Sequence, residues 1–178
     1  MRGKIEAFLS EEAIFLHKDY LNDLRLRYSV MEKSFPEIKN ADLRRLLKMR
    51  HRYKNEIISL KAEIICHELF FDSFGDAYQG SSAVRECFRT EASFLYEVSE
   101  ASNHGACYTV ISHEKGKVSV IPITNATDVF KIRNPLLCID LHEHSYFLDY
   151  GFNKDRYISN LLPYLKLGII DKFLPYKD

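Results

Sequence analysis

The chain changes character at Asn103-His104-Gly105, after more than half of its 178 residues. Before this point apolar residues recur at helical spacing, and after it come short runs rich in β-branched residues. Helices first and strands second are typical of an α+β protein rather than of alternating βαβ units. We therefore predict an α+β fold with two domains. An N-terminal helical hairpin lobe spans 1–79, and a C-terminal lobe spans 80–178 and has a three-stranded antiparallel sheet and helices.

Helical periodicity locates the elements of the first lobe. Residues 10–32 read as one helix, with Ser10 as its capping residue. The stretch 40–74 is either one long helix or two helices with a bend near His51. A further helix is predicted at about 82–101, after a boundary close to residue 80.

The second lobe contains the strands. Two β-rich runs flank residues 114–117, which predicts a hairpin, and PLLCIDL (135–141) reads as a third strand. Helical segments interrupted by Pro163 and Gly168 follow toward the C-terminal end. These elements complete the predicted α/β lobe.

The charge of the whole chain is balanced, with 25 basic and 25 acidic side chains. No net field draws such a chain to nucleic acid or to an anionic membrane, so neither partner is expected. The basic stretch RRLLKMRHRYK (44–54) is interpreted as a solvated helix face. No apolar run reaches the length of a membrane span.

The four cysteines lie at irregular spacings without a C-x-x-C pair, which favours buried free thiols over a structural zinc site. The sequence shows no pattern of a secretory signal at its start. Both observations lead us to expect a cytoplasmic protein.

The segment LLCIDLHEHSYFLDY (136–150) places an acid and two histidines among apolar residues. A charge in such a context is costly unless a metal, a proton-transfer site or a partner chain pairs with it. Asp140 and His144 are four residues apart, and His17 and His67 lie in similarly apolar contexts. Each histidine alone is more often a hydrogen-bonded core residue. Together, three imidazoles and one carboxylate suit an iron or manganese ion with an open position for water or substrate.

Other metal and catalytic motifs are missing from the sequence. The zinc motif H-E-x-x-H and the paired E-x-x-H of di-iron bundles do not occur. Neither do G-x-S-x-G, the P-loop or G-x-G-x-x-G.

Four segments, in order, resemble the iron/manganese superoxide dismutase family along almost the whole chain. L-S-E-E-A-I-F-L-H (9–17) is similar to the family's helix entry, and I-C-H-E-L-F-F (65–71) to its N-H-x-x-F-x-W segment. G-K-V-S-V-I-P-I-T-N (116–125) resembles the family's hairpin. I-D-L-H-E-H-S-Y-F-L-D-Y (139–150) resembles its D-x-W-E-H-A-Y-Y signature.

The resemblance implies a function and a set of site residues. The substrate would be superoxide, converted to oxygen and hydrogen peroxide at a single Fe or Mn ion per chain. Glu143 would cross an interface to the partner's ligand histidine, which implies a homodimer. The implied metal ligands are His17, His67, Asp140 and His144.

The chain departs from the family around the metal. It contains no tryptophan, and Tyr108 and His142 stand at two of the family's pocket tryptophan positions. The family's gateway tyrosine position holds Arg25 here. Tyr20 and Tyr28 could reach the same helix face, and we choose Tyr28 because eleven residues from His17 is close to three full turns.

Glu63 is predicted to lie near the metal-bound water, since it stands one helical turn before His67. Iron-type members of the family carry a glutamine at this position. The main alternative to a dismutase is a dismutase-derived protein that binds metal or a partner with little or no turnover, because altered contacts around a metal cost affinity or activity. A weaker alternative is a different mononuclear iron oxidase or oxygenase.

Overall fold

The structure, a computed structural model, describes residues 5–75 and 82–172. The predicted α+β class is confirmed: helices fill the N-terminal part, and a three-stranded antiparallel sheet with further helices forms the C-terminal part. The helices are α1 (Glu11–Ser34), α2 (Leu43–Lys48), α3 (Lys54–Asp72), α4 (Ser82–Phe88), α5 (Glu91–Asn103), α6 (Glu143–Tyr150), α7 (Lys154–Leu161) and α8 (Gly168–Asp171). The strands are β1 (Tyr108–Glu114), β2 (Lys117–Ile123) and β3 (Pro135–Asp140). Short 3₁₀ segments lie at Ile5–Ala7, Pro36–Ile38, Ala126–Lys131 and Leu162–Tyr164.

The helix ends follow from local chemistry. The Ser10 hydroxyl accepts a hydrogen bond from the backbone N–H of Ala13 and caps α1 as predicted. The stretch 40–74 forms two helices, since α2 ends at Lys48 and α3 begins at Lys54. The prediction of one continuous helix at 82–101 is wrong, because two helices are present. This stretch is divided into α4 and α5 at Arg89, whose φ of 65° is incompatible with a continuous right-handed helix.

The sheet has the order β2-β1-β3, with β1 in the middle. The β1–β2 turn contains Lys115 and Gly116, both with positive φ, as the tight turns favoured in hairpins require. In the register between β1 and β3, Tyr108 pairs with Asp140 at the last position of β3. The sheet therefore ends with an aspartate and a tyrosine side by side.

Helix α3 is the element on which both halves of the chain pack. Ile57 is fully buried in one apolar cluster with Ile38, next to α1 and α2. Two residues before its end, Phe70 lies in the main core with strand residues such as Ile139. Contacts of α3 with α1 and β3 bring the two sequence halves together around the same helix. The ends of α1, α3 and β3 are thereby held next to one another.

The predicted domain boundary between residues 79 and 80 lies outside the described residues, so the division into 1–79 and 80–178 stays a prediction. None of the helices found in 5–75 and 82–172 is both long and apolar enough to cross a membrane.

The side chain of Ser73 fastens the end of α3 to the sheet. Its buried hydroxyl donates to the carbonyl of Leu69 at 2.6 Å and accepts from the N–H of Cys138 at 2.7 Å. Removing this hydroxyl leaves a buried backbone N–H on β3 without its partner, which is more costly than losing an exposed hydrogen bond.

We therefore expect Ser73→Ala to lower the free energy of unfolding by about 1–3 kcal/mol. Urea denaturation of metal-free protein measures this loss. The control is Ser29→Ala on α1, whose hydroxyl bonds only to the Leu26 carbonyl of its own helix. It should cost less than about 0.5 kcal/mol. Equal losses in the two variants would contradict the role of Ser73.

Candidate metal centre

Four elements of the fold contribute to one cluster of potential metal ligands. His17 lies on α1, His67 on α3, Asp140 at the end of β3 and His144 in the first turn of α6. One ligand atom from each of these residues lies within 4.8 Å of all the others. His17, His67 and Asp140 are buried and His144 is exposed, so the cluster has a closed side and an accessible side. The structure thus brings together all four residues that the sequence assigned to the metal.

The carboxylate of Asp140 is the centre of this geometry. Its Oδ2 atom lies 3.3 Å from Nε2 of His17, 3.5 Å from Nε2 of His67 and 3.2 Å from Nε2 of His144. The Nε2 atoms of His67 and His144 are themselves 3.2 Å apart. Ligand atoms bound at about 2.0–2.2 Å to a single ion lie about 3.0–3.5 Å from one another. The spacing fits one ion.

The ring of His67 is held in the orientation that a ligand needs. Its Nδ1 lies 2.7 Å from the carbonyl oxygen of Glu63, which can only accept, so Nδ1 carries the proton. The lone pair of Nε2 is then directed into the cluster. Burial lowers the pKa of His67 to about 4, although the nearby Asp140 acts in the opposite direction. The imidazole is therefore neutral at physiological pH, as metal ligation requires.

His17 provides a test of whether the site fits a metal. Its ring is buried and packs against Phe70 and Phe71, with centroids 4.8 and 4.9 Å away. Its Nδ1 has no hydrogen-bond partner among the described residues, and its Nε2 has only Oδ2 of Asp140 nearby, at 3.3 Å. A buried polar group without a partner is costly and rare. An ion bound to Nε2 would give this ring nitrogen a strong partner, so the residues present fit a metal.

Asp140 is anchored through its other polar atoms. Its Oδ1 accepts from the backbone N–H of His142 at 2.9 Å and from Nδ1 of the same residue at 2.8 Å. Its backbone carbonyl accepts from the hydroxyls of Tyr157 and Ser145. Burial favours the neutral acid, but hydrogen bonds from His142 and His144 outweigh it and hold the pKa of Asp140 well below its usual value. The group is a carboxylate with one oxygen free for a metal.

His142 and Tyr108, predicted to lie near the metal, contact the ligand candidates Asp140 and His67 and also line the cleft described below. Burial by itself lowers the pKa of His142, but its hydrogen bond to Asp140 outweighs burial and raises that pKa. The hydroxyl of Tyr108 lies 3.4 Å from Nδ1 of His67, and its ring packs edge-on against His142 at 4.7 Å. Burial raises the pKa of Tyr108 far above its ordinary value, so it is a neutral phenol.

The prediction for Tyr28 is corrected by the structure. Its ring packs with Ile38 and Leu46 in an apolar cluster that contains none of the four ligand candidates. Tyr28 follows His17 by eleven residues and so lies on the same face of α1. It is about 16 Å farther along the helix axis, which is too far to reach the same site. The tyrosine beside the histidines is Tyr20, which is three residues after His17.

Tyr20 and Glu63 form a pair at the edge of the cluster. The Tyr20 ring lies 4.8 Å from the ring of His144 and 5.3 Å from that of His67. Its hydroxyl donates to Oε2 of Glu63 at 3.2 Å. Burial, followed by the charge of Glu63, raises the pKa of Tyr20 to about 12. The contact of Glu63 with a metal-bound water stays a prediction.

A cleft of about 340 Å³ gives access to the exposed side of the cluster. None of its lining residues is a lysine or an arginine, and Glu63 is its one acid. Arg25 instead lines a neighbouring cleft, where it pairs with Glu68 at 2.7 Å. The lining residues are Tyr20, Ser59, Glu63, Cys107, Tyr108, Asn125, Ala126, His142 and His144.

Some of these contacts have no signal in the sequence. Tyr157 supports the Asp140 carbonyl from α7, seventeen positions away along the chain. Ser59, Cys107 and Asn125 reach the cleft from three separate segments. Tyr20, named from the sequence as a candidate beside Tyr28, does have a signal, because residues three apart on a helix are neighbours.

Comparison with known proteins agrees with this site. Residues 77–171, just over half of the chain, match the model of the C-terminal domain of iron/manganese superoxide dismutases. The chain is 22% identical over 162 residues to "Superoxide dismutase [Fe] 3, chloroplastic" of Arabidopsis thaliana, which covers 84% of this chain and 60% of that protein. It is 23% identical over 181 residues to "Superoxide dismutase [Fe] 2, chloroplastic" of Oryza sativa subsp. japonica, with 90% and 68% covered. The chain therefore spans about two thirds or less of these relatives, and it belongs to the iron/manganese superoxide dismutase family.

Proposed function

We propose that the protein binds one iron or manganese ion per chain and dismutates superoxide to oxygen and hydrogen peroxide. The observation that carries this proposal is the convergence of three imidazole nitrogens on one oxygen of Asp140, in a chain of this family. His17, His67, Asp140 and His144 would hold the ion. When bound, the ion supplies the one-electron redox chemistry that the side chains lack.

The surrounding residues set geometry and proton supply. The Glu63 carbonyl fixes the ring of His67, and His142 fixes the carboxylate of Asp140. Two superoxide ions and two protons give one oxygen and one peroxide, so protons must reach the substrate. The Tyr20 hydroxyl, which donates a hydrogen bond to Glu63 at the cleft, can hold a proton there.

The first test concerns the ligands. Losing a residue that only supports a metal ligand lowers metal affinity by about 10–100-fold. We expect His144→Ala, which removes a ligand itself, to lower metal affinity by at least this much and to abolish superoxide turnover. The exposed position of His144 makes it the ligand candidate least needed for folding. Metal content after dialysis against a competing chelator, together with a superoxide assay, measures both effects.

The matched control is His104→Ala, because His104 is exposed and bonds only to the Glu100 carbonyl of its own helix. It should retain both metal and turnover. A wild-type protein that holds no iron or manganese, or an His144→Ala protein that keeps its ion, would contradict the assignment.

A second candidate function is metal binding with little or no turnover. The observation that favours it is the charge of the cleft, which is lined by Glu63 and by no lysine or arginine. A carboxylate there repels an approaching anion, and no lysine or arginine among the described lining residues offsets it. A stoichiometric ion without superoxide turnover would select this candidate over the dismutase.

The charge of Glu63 leads to a second prediction. We expect Glu63→Gln to raise the rate with superoxide by about threefold to tenfold at low salt, since it removes one negative charge and keeps an acceptor for Tyr20. The gain should shrink as salt screens the field. Glu56→Gln, which makes the same charge change at an exposed position of α3, is the control and should have little effect. Equal rates for wild type and Glu63→Gln at every salt concentration would show that Glu63 does not face the substrate.

We also propose a homodimer. Glu143 is exposed in the first turn of α6, next to the exposed ligand candidate His144. Phe147 and Leu148 on the same helix are 42% and 51% exposed, and Phe15 on the adjacent α1 is 66% exposed. Large exposed apolar side chains on two contacting helices are typical of a surface that another chain covers.

We expect Glu143→Ala to weaken the dimer and to lower metal content at the same time, because a glutamate that reaches the partner's ligand would support both. Sedimentation across a concentration series, with metal analysis of each sample, measures the two effects. Glu97→Ala on α5, also exposed, is the control. A monomeric wild-type protein with bound metal would contradict this role of Glu143.

A further inference from the structure

The positive charges of this neutral chain are concentrated in one short region. Residues 39–54 contain seven lysines and arginines and a single acid, Asp42. The remainder of the chain consequently carries an excess of acids. The seven cations are Lys39, Arg44, Arg45, Lys48, Arg50, Arg52 and Lys54.

The structure turns these cations outward. On α2 the fully buried Leu46 marks the inner face, and the exposed Arg44 and Lys48, four residues apart, lie together on the outer face. Arg50 and Arg52 are exposed in the loop that follows. We call α2 and this loop, residues 43–53, the basic segment.

The charges of the basic segment are not neutralised locally. The carboxylate of Asp42 accepts from the backbone N–H of Arg45 as the cap of α2. Within residues 5–75 and 82–172, no carboxylate lies within ion-pair distance of the lysines and arginines of the segment. A surface of several unpaired cations attracts a polyanion, even on a chain with no net charge.

A cleft of about 480 Å³ opens beside the basic segment. Leu43, Leu47 and Phe130 supply apolar walls. Lys54 also lines it, as does Lys131, which pairs with Asp128 at 2.6 Å. The ammonium of Lys54 donates to the carbonyl of Leu47, a neutral group, so its charge remains available. An aromatic base fits such a slot, with phosphates at its cationic rim.

We propose that the basic segment binds the phosphate backbone of a single-stranded nucleic acid and that the adjacent cleft receives one of its bases. Four of the seven cations are arginines, whose planar guanidinium groups bind phosphate oxygens in pairs. Leu47, 51% exposed, is the one large apolar side chain of residues 39–54 that is exposed, too little apolar surface for insertion into a membrane. A single strand suits the cleft because its bases are unpaired and can enter it.

This proposal departs from the expectation of no nucleic-acid partner, which rests on the net charge of the whole chain. Association depends on the local field, since salt screens charges more than about 8–10 Å away. The acids elsewhere in the sequence therefore do not cancel the basic segment at its own surface. The proposal is independent of the dismutase activity.

The test is fluorescence anisotropy of a labelled oligothymidine of about 16 nucleotides with the full-length metal-loaded protein. We expect saturable binding. The logarithm of the association constant should fall with the logarithm of the salt concentration with a slope of about −3 to −4, as about five phosphate contacts to a single strand predict. Arg44→Glu/Lys48→Glu should weaken binding by about tenfold or more at about 50 mM salt. Arg44→Gln/Lys48→Gln, a milder change, should weaken it by less and guards against misfolding of the first variant.

The control for charge is Lys117→Glu/Arg156→Glu, which changes the net charge equally at exposed positions on β2 and α7. It should bind as wild type does. Absence of binding at about 50 mM salt, or equal losses in the control and the Arg44/Lys48 variants, would overturn the proposal. Binding to phosphatidylserine vesicles but not to the oligonucleotide would overturn it as well.

Discussion

The carboxylate of Asp140 is the constraint on which the rest of the site depends. One of its oxygens lies within 3.5 Å of three imidazole nitrogens, and the other is fixed by two hydrogen bonds from His142. A fully buried carboxylate is unfavourable unless cations or donors surround it. The packing of α1, α3 and α6 around the end of β3 places the histidines around it. An ion at their centre would complete the charge balance and would also bind Nε2 of the buried His17 ring.

Much of the fold and the four ligand candidates could be predicted from the sequence. Apolar periodicity located α1 and the helical stretch 40–74, although it left open whether this stretch forms one helix or two, and turn residues located the hairpin between β1 and β2. His17, His67, Asp140 and His144 stood out because polar side chains in apolar segments need partners. The resemblance to a family then assigned these four residues to one site, which spacing alone does not do.

The remaining features depend on distance in three dimensions. The choice of Tyr28 used helix phase and ignored the rise along the axis, and Tyr20, one turn from His17, is the tyrosine in the cleft. The break at Arg89 escaped prediction because arginine carries no strong turn signal, although its backbone has positive φ there. The support of Asp140 by Tyr157 depends on how α7 packs, and no local pattern reports this.

The central claim is that one redox ion is bound by His17, His67, Asp140 and His144. Anomalous scattering from crystals of the purified protein, recorded on both sides of the iron and manganese absorption edges, tests it most directly. The account predicts one peak per chain, about 2.0–2.2 Å from Nε2 of each histidine and from Oδ2 of Asp140. A peak at any other group of side chains, or a protein that holds neither metal, would contradict it.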